Sequence, residues 1–152
     1  MHDPNRMPNT ILVPYDFTNF GDLAFEKAME IAKKFDSKVI LLTVIGRDTD
    51  TSGMSWERAQ EIHDESENKA KADLNKIKNS HIVENVPISI KIVHNPSNSD
   101  GILSFAESNK IDLIVMGSHG RSGFKKMVLG SIASSVVTKA KCPVMIVKST
   151  KT

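Results

Sequence analysis

Little in this chain of 152 residues points to stabilisation from outside its own core. Cys142 is its single cysteine, so neither a disulfide framework nor a cysteine-built metal cluster can form within it. A lone thiol just ahead of an apolar strand reads as a small hydrophobe packed inward. Aromatic residues are scarce, at 5%, and none alternates with arginine as a base-stacking platform would require. An excess of one charge is lacking too: 20 basic against 18 acidic residues leave a formal net charge of +2, which sets up no broad field for DNA, RNA or anionic lipid. No apolar run approaches the roughly 18 residues of a membrane span, and the opening M-H-D-P-N-R-M-P-N has no apolar core for a signal peptide. The expectation is a cytoplasmic protein of a reducing compartment, without a nucleic-acid partner and without membrane insertion.

Several chemical fingerprints are missing as well. There is no G-x-x-x-x-G-K-[ST], hence no lysine placed to grip a transferable phosphate. No G-x-G-x-x-G follows the first apolar run, which disfavours a nicotinamide or flavin dinucleotide. A G-x-S-x-G elbow and an H-x-x-x-H zinc pair are absent too. His2, His63, His81 and His94 are scattered, and read as ordinary surface histidines.

What is present is alternation. Residues 1–9 read as a flexible tail and 10–149 as one domain, long enough to bury a core of its own. Thr10 to Pro14 predicts a first strand, followed by a helix capped by Thr18 or Asn19 that turns Phe20, Ala24, Ala28, Ile31, Ala32 and Phe35 inward. Lys38 to Ile45 reads as a central parallel strand covered on both faces. A long charged helix from Ser55 to about Asn79 has a thin inner stripe of Trp56, Ala59, Ile62, Ala70, Leu74 and Ile77. Ile88, Ile90 and Ile92 alternate with polar residues, as on an edge strand. A helix capped by Asn98 or Ser99 runs to about Asn109 with Ile102, Leu103 and Ala106 inward. Ser131 to Lys141 predicts the last helix, with Ile132, Val136, Val137 and Ala140 on one face, and Val144 to Val147 the last strand. Five strands alternating with four helices are the pattern of an α/β fold, an open parallel sheet with helices on both faces.

The chain is organised around residues 111–131, I-D-L-I-V-M-G-S-H-G-R-S-G-F-K-K-M-V-L-G-S. An apolar strand stops at Gly117. Gly120 and Gly130 follow, and a helix opens at Ser131, so backbone amides can crowd where side chains would block them, next to a positive helix end. Such a loop suits an anion, and an ordinary strand-to-helix connection is the plain alternative. In open parallel sheets ligands sit beyond the carboxyl ends of the strands. Pro14 to Asp16, Val44 to Gly46 and Gly117 to Gly120 fall there together.

The individual residues keep two readings each. Asp16 suits a ribose hydroxyl or base amine, and equally a local turn or helix-entry cap. Arg121, Lys125 and Lys126 suit phosphate oxygens, or form a solvated basic loop. Ser118 and Ser131 are the hydroxyls best placed for a phosphate, ahead of Ser134 and Ser135. His119 suits a base or ligand role, or is a loop residue turned outward or bonded to a backbone carbonyl, with no second histidine or cysteine at metal-ligand spacing.

The spacing Gly117-x-x-Gly120, nine residues, Gly130-Ser131 is similar to the ATP-binding motif of the universal stress protein family. The start I-L-V-P-Y-D-F-T and the end C-P-V-M-I-V-K also resemble that family's first and last strands, so the likeness covers essentially the whole chain. It implies a five-stranded parallel sheet of order 3-2-1-4-5 and bound ATP. By position, Pro14, Tyr15 and Asp16 would surround the adenosine, Val44 would line the adenine pocket, and Met116 and Gly117 would border the ribose. His119 falls within the motif, and Gly120, Arg121, Gly130, Ser131 and Ile132 would follow the phosphates. A magnesium or manganese ion would be held mainly through those phosphates. Tyr15 departs from the smaller residue of many relatives, which alters the pocket entrance and leaves the phosphate loop untouched. The resemblance also implies a homodimer through strand 144–147.

Turnover is a separate matter, because hydrolysis needs a group that orients water near the terminal phosphate, and Asp16 belongs to the adenosine end. The favoured reading is therefore an ATP-binding, nucleotide-responsive regulatory or stress-response module with an unidentified protein client. The alternatives are a slow metal-dependent ATPase, with no catalytic residue assigned, and a nucleotide-independent dimeric interaction protein.

Overall fold

The computed structural model describes residues 8–46, 52–119 and 129–149. Strands β1 (Thr10–Pro14), β2 (Lys38–Ile45), β3 (Ile88–His94), β4 (Leu113–Gly117) and β5 (Val144–Val147) form one sheet in the order β3-β2-β1-β4-β5. Every neighbouring pair is parallel. Helices α1 (Asn19–Phe35), α2 (Trp56–Ser80), α3 (Asn98–Ser108) and α4 (Ser131–Lys139) connect them, with a short 3-10 turn at Ile82–Glu84 ahead of β3. Both the alternation and the strand order agree with expectation.

Period two sorts the strands into two cores. Ile11, Val13, Val39 and Leu41 pack under Ala24, Ala28 and Ala32 of α1 and Leu74 of α2, whereas Leu12, Ile40, Leu42 and Ile114 pack under Ile102 of α3 and Ala133 and Val136 of α4. The polar interruption of the pivotal stretch has a structural task. Asp112 is buried, and its Oδ2 accepts from the amides of Asn9 and Thr10 at 3.0 Å each, tying the start of β1 to the start of β4.

Several local expectations need correcting. Trp56 was expected on the inner stripe of α2 but is 76% exposed. A helix of 25 residues is about 37 Å long, and a strand of eight about 26 Å, so the first turns of α2 overhang the sheet. Phe35, at the last position of α1, is exposed, as is Val137; the buried residues of α4 are Ala133 and Val136. α4 ends at Lys139 because Ala140 is already extended, at φ −65° and ψ 145°. The α3 cap is Ser97, one residue before the expected pair, its side chain accepting from the Asp100 amide. Cys142 is half-buried against the second core, and burial pushes its thiol above the ordinary range.

Candidate functional site

Strand pairing continues past the end of β1 and shapes the first wall of the site. The Tyr15 amide donates to Leu42 O at 2.8 Å, and the Thr43 hydroxyl donates to Tyr15 O at 3.0 Å. The chain then turns sharply, with Phe17 at φ 64°. Asp16 organises that turn: its Oδ1 accepts from the Thr18 amide at 3.1 Å and from the Thr18 hydroxyl. Thr18 in turn accepts from the Gly21 amide and caps α1. The local-turn reading of Asp16 therefore describes its contacts, and the same residue faces the cavity described below.

Tyr15 packs into the first core and donates its hydroxyl to Asp22 Oδ1 at 2.5 Å. Burial, then the Asp22 hydrogen bond and charge, hold that hydroxyl well above the usual tyrosine range. Phe17 meets the Tyr15 ring edge-on, with centroids 4.9 Å apart.

Glycine permits a second close approach at the end of β4. A Cβ on Gly117 would lie 2.6 Å from Phe20 Cβ and 2.8 Å from Phe20 O. Ser118 is buried, donates its amide to Val147 O at 3.1 Å, and accepts from the Gly130 amide at 2.7 Å. The start of α4 is thereby drawn against the end of β4. α1, α2 and α3 are capped by the side chains of Thr18, Ser55 and Ser97. α4 begins at Gly130 without a side-chain cap, which leaves its first-turn amides directed out of the helix end. His119 contacts the Ser118 hydroxyl through Nδ1 at 3.0 Å and leans on the Phe20 ring, centroids 5.4 Å apart. Its ring thus packs beside the first helix, where a loop residue turned outward was one expectation.

These walls enclose a cavity of about 740 Å³. Of the residues singled out from sequence, Pro14, Tyr15, Asp16, Val44, Met116, Gly117, His119, Gly130, Ser131 and Ile132 line it. Ser118, expected to reach a phosphate, is instead buried outside the lining, and Ser134 and Ser135 are also outside it. Gly120 and Arg121, with Lys125 and Lys126, lie outside the described residues. Sequence reasoning missed the far wall: Ile62, His63, Ser66, Lys69, Ala70 and Asp73 of α2, and Asn98 and Ile102 of α3. The three-and-four spacing of the α2 set was the available signal. It is obscured because four of its six members are polar, and because His63 reads from sequence as a surface histidine. His81 departs from that expectation too, meeting the Phe25 ring edge-on with centroids 4.9 Å apart.

An open parallel sheet with a glycine-bordered cavity at its carboxyl ends defines a broad class of α/β proteins. Residues 7–148 match the universal stress protein family, and the chain belongs to that family. Universal stress protein MJ0531 of Methanocaldococcus jannaschii is 35% identical over 149 residues, spanning 93% of this chain and 82% of that protein. Universal stress protein MJ0577 of the same organism is 30% identical over 163 residues, spanning 93% and 96%. The solved structure of MJ0577 superposes with a TM-score of 0.84 at 28% identity, covering 97% of this chain and all of that one. More distant structures share the fold. A universal stress protein in complex with cAMP has a TM-score of 0.70 at 22% identity, covering 94% and 98%. An Arabidopsis thaliana family member with AMP bound has 0.67 at 19%, covering 95% and 94%.

Proposed function

We propose that residues 10–149 form a nucleotide-binding domain that takes up ATP, and that the protein acts as a nucleotide-responsive regulatory or stress-response module. One observation carries this reading: ten residues from four separate segments, chosen from sequence, border a single cavity that the uncapped start of α4 also faces. Amides at a helix start, unshared with a side chain, suit phosphate oxygens. In this reading Pro14 to Asp16 and Val44 hold the adenosine, Met116 and Gly117 border the ribose, and His119, Gly120, Arg121 and Gly130 to Ile132 follow the phosphates. The cAMP and AMP complexes of distant relatives support a nucleotide as the ligand class. Among the described residues no group of three or more His, Cys, Asp or Glu is arranged to hold a metal ion. In this reading a magnesium or manganese ion is held mainly through the phosphates. The protein works in the cytoplasm in this same reading, and β5 joins two copies into a homodimer. Among the described residues no helix is long and apolar enough to cross a membrane.

Calorimetric titration of nucleotide-stripped protein with ATP and magnesium tests the proposal, alongside an assay for released phosphate. Saturable binding near one ATP per chain without multiple turnover supports it. Sustained metal-dependent release moves the protein to the slow ATPases, and absence of binding leaves a dimeric interaction module.

A further inference from the structure

The strand order separates the two ends of the cavity. β4 and α4, which supply Gly117 and Gly130 to Ile132, lie on one side of β1, and β2 lies on the other. A ligand with its phosphates at α4 therefore extends over β1 towards β2. There it meets α2 from one layer and α3 from the opposite layer, since Leu74 of α2 belongs to the first core and Ile102 of α3 to the second. Three aliphatic side chains from these elements line the cavity: Val44 of β2, Ile62 of α2 and Ile102 of α3. The same cavity is bordered by an imidazole, a hydroxyl and a carboxamide, those of half-buried His63 and of exposed Ser66 and Asn98. Apolar walls with a few placed polar groups are what a flat heteroaromatic ring requires.

The polarity of α2 supports a recognition role. Residues 62, 63, 66, 69, 70 and 73 share one face, and a helix that merely covered a sheet would present aliphatic residues along it. Lys69 and Asp73 satisfy each other at 2.9 Å at the exposed rim. His63 is steadied from behind: the His94 ring meets it edge-on, centroids 6.3 Å apart, and His94 Nε2 lies 3.6 Å from Glu67 Oε1. Val44 is in turn pressed by Gly101 of α3, whose absent Cβ would lie 2.8 Å from Val44 Cγ1.

We infer that α2 and α3 are the base-reading walls of the site, with His63, Ser66 and Asn98 hydrogen-bonding the amine-bearing edge of adenine while Val44, Ile62 and Ile102 contact its faces. The inference rests on the nucleotide reading above and adds to it the residues that decide which base is accepted. A carboxamide offers an acceptor and a donor side by side, the complement of the exocyclic amine and neighbouring ring nitrogen of adenine. A neutral imidazole and a hydroxyl can each donate and accept.

The test compares ATP with inosine triphosphate, in which a carbonyl replaces the amine, by calorimetry. Wild-type protein should prefer ATP by about tenfold or more, as one or two matched hydrogen bonds would give. Ser66→Ala, His63→Ala and Asn98→Ala should each reduce that preference by roughly 3- to 10-fold. The ratio of ATP to AMP affinity, which reports the phosphate end, should stay unchanged. Variants that keep their circular dichroism spectrum and the full ATP preference would overturn the inference while leaving ATP binding intact. Should the variants unfold, wild-type protein alone decides, because equal affinity for the two triphosphates also overturns it. Failure to bind any nucleotide would remove the underlying reading and this inference together.

Discussion

The amide of Gly130 donates to the carbonyl of Ser118 across 2.7 Å, and Ser118 donates its own amide to Val147. These backbone hydrogen bonds tie the start of α4 to the ends of β4 and β5. Gly130 has φ −67° and ψ 163°, a conformation open to any residue, so a cap can be introduced there without backbone strain. In Gly130→Asp the new carboxylate caps α4 and favours the helix by a few tenths of a kcal/mol. It also places negative charge where phosphates are proposed to lie. Thermal melting should hold or rise slightly while ATP affinity falls about tenfold or more. Unchanged affinity in the folded variant would place the phosphates elsewhere.

Gly101→Ala sets a methyl 2.8 Å from Val44 Cγ1 and 3.0 Å from its Cγ2. Side chains can yield, so the expected cost is about 1–3 kcal/mol of stability, together with weaker ATP binding as Val44 is pushed. Val44→Ala removes the obstructing methyls. The double variant should recover part of the stability lost by Gly101→Ala, a coupling that a double-mutant cycle in urea measures.

Gly117→Ala should behave differently. Its new Cβ would meet Phe20 O at 2.8 Å as well as Phe20 Cβ, and a backbone oxygen cannot rotate away. We expect a loss of about 2 kcal/mol or more, and Phe20→Ala in the same chain should restore little of it. Alanine keeps both the Cβ and the backbone oxygen, so substantial rescue would show that α1 can shift away once the ring is removed.

Tyr15 ties stability to alkaline pH. Its hydroxyl has a higher pKa in the folded chain than the usual value of about 10, so the folded state keeps a proton that the unfolded state releases. The contribution is complete below about pH 10 and is lost as pH climbs towards the folded pKa. Tyr15→Phe should cost about 1 kcal/mol at neutral pH through loss of the Asp22 hydrogen bond, and should flatten the stability decline above about pH 10. Urea midpoints from pH 8 to 11 would test both parts.

Strand β5 borders the sheet. Pro143 O and Val147 O accept from β4, so by the alternation of a parallel ladder the Ile146 amide points off the edge. Ile146→Pro deletes that outward donor, a position where proline is tolerated on an edge strand. Sedimentation should show the proposed dimer for wild-type protein and a monomer for the variant, with circular dichroism retained. A variant that remains dimeric would relocate the interface.

The near wall of the cavity was legible because its residues follow directly from strand ends and glycine spacing. Pro14 to Asp16, Val44, and Met116 with Gly117 each close an apolar run, and parallel strands bring such ends together. The double life of Asp16 was legible only as two alternatives, since a carboxylate after a strand suits a turn and a ligand equally; the contact with Thr18 appears once the chain is folded. The far wall was not legible. His63 and Ser66 share a helix face by their spacing, but that face is mostly polar, and neither it nor Asn98 at the start of α3 reveals from sequence which cavity it meets.

Local chemistry within the sequence determined the number and kind of elements, the parallel sheet and the carboxyl-end location of the site, because alternation, capping residues and glycines act over a few positions. Tertiary structure decided the rest. Trp56 is exposed because α2 outruns the sheet, Gly101 matters because α3 presses on Val44, and α2 becomes part of the site because it hangs over β2 from the layer opposite α3. Each depends on where two distant segments are brought together, and such distances arise only from packing the whole chain.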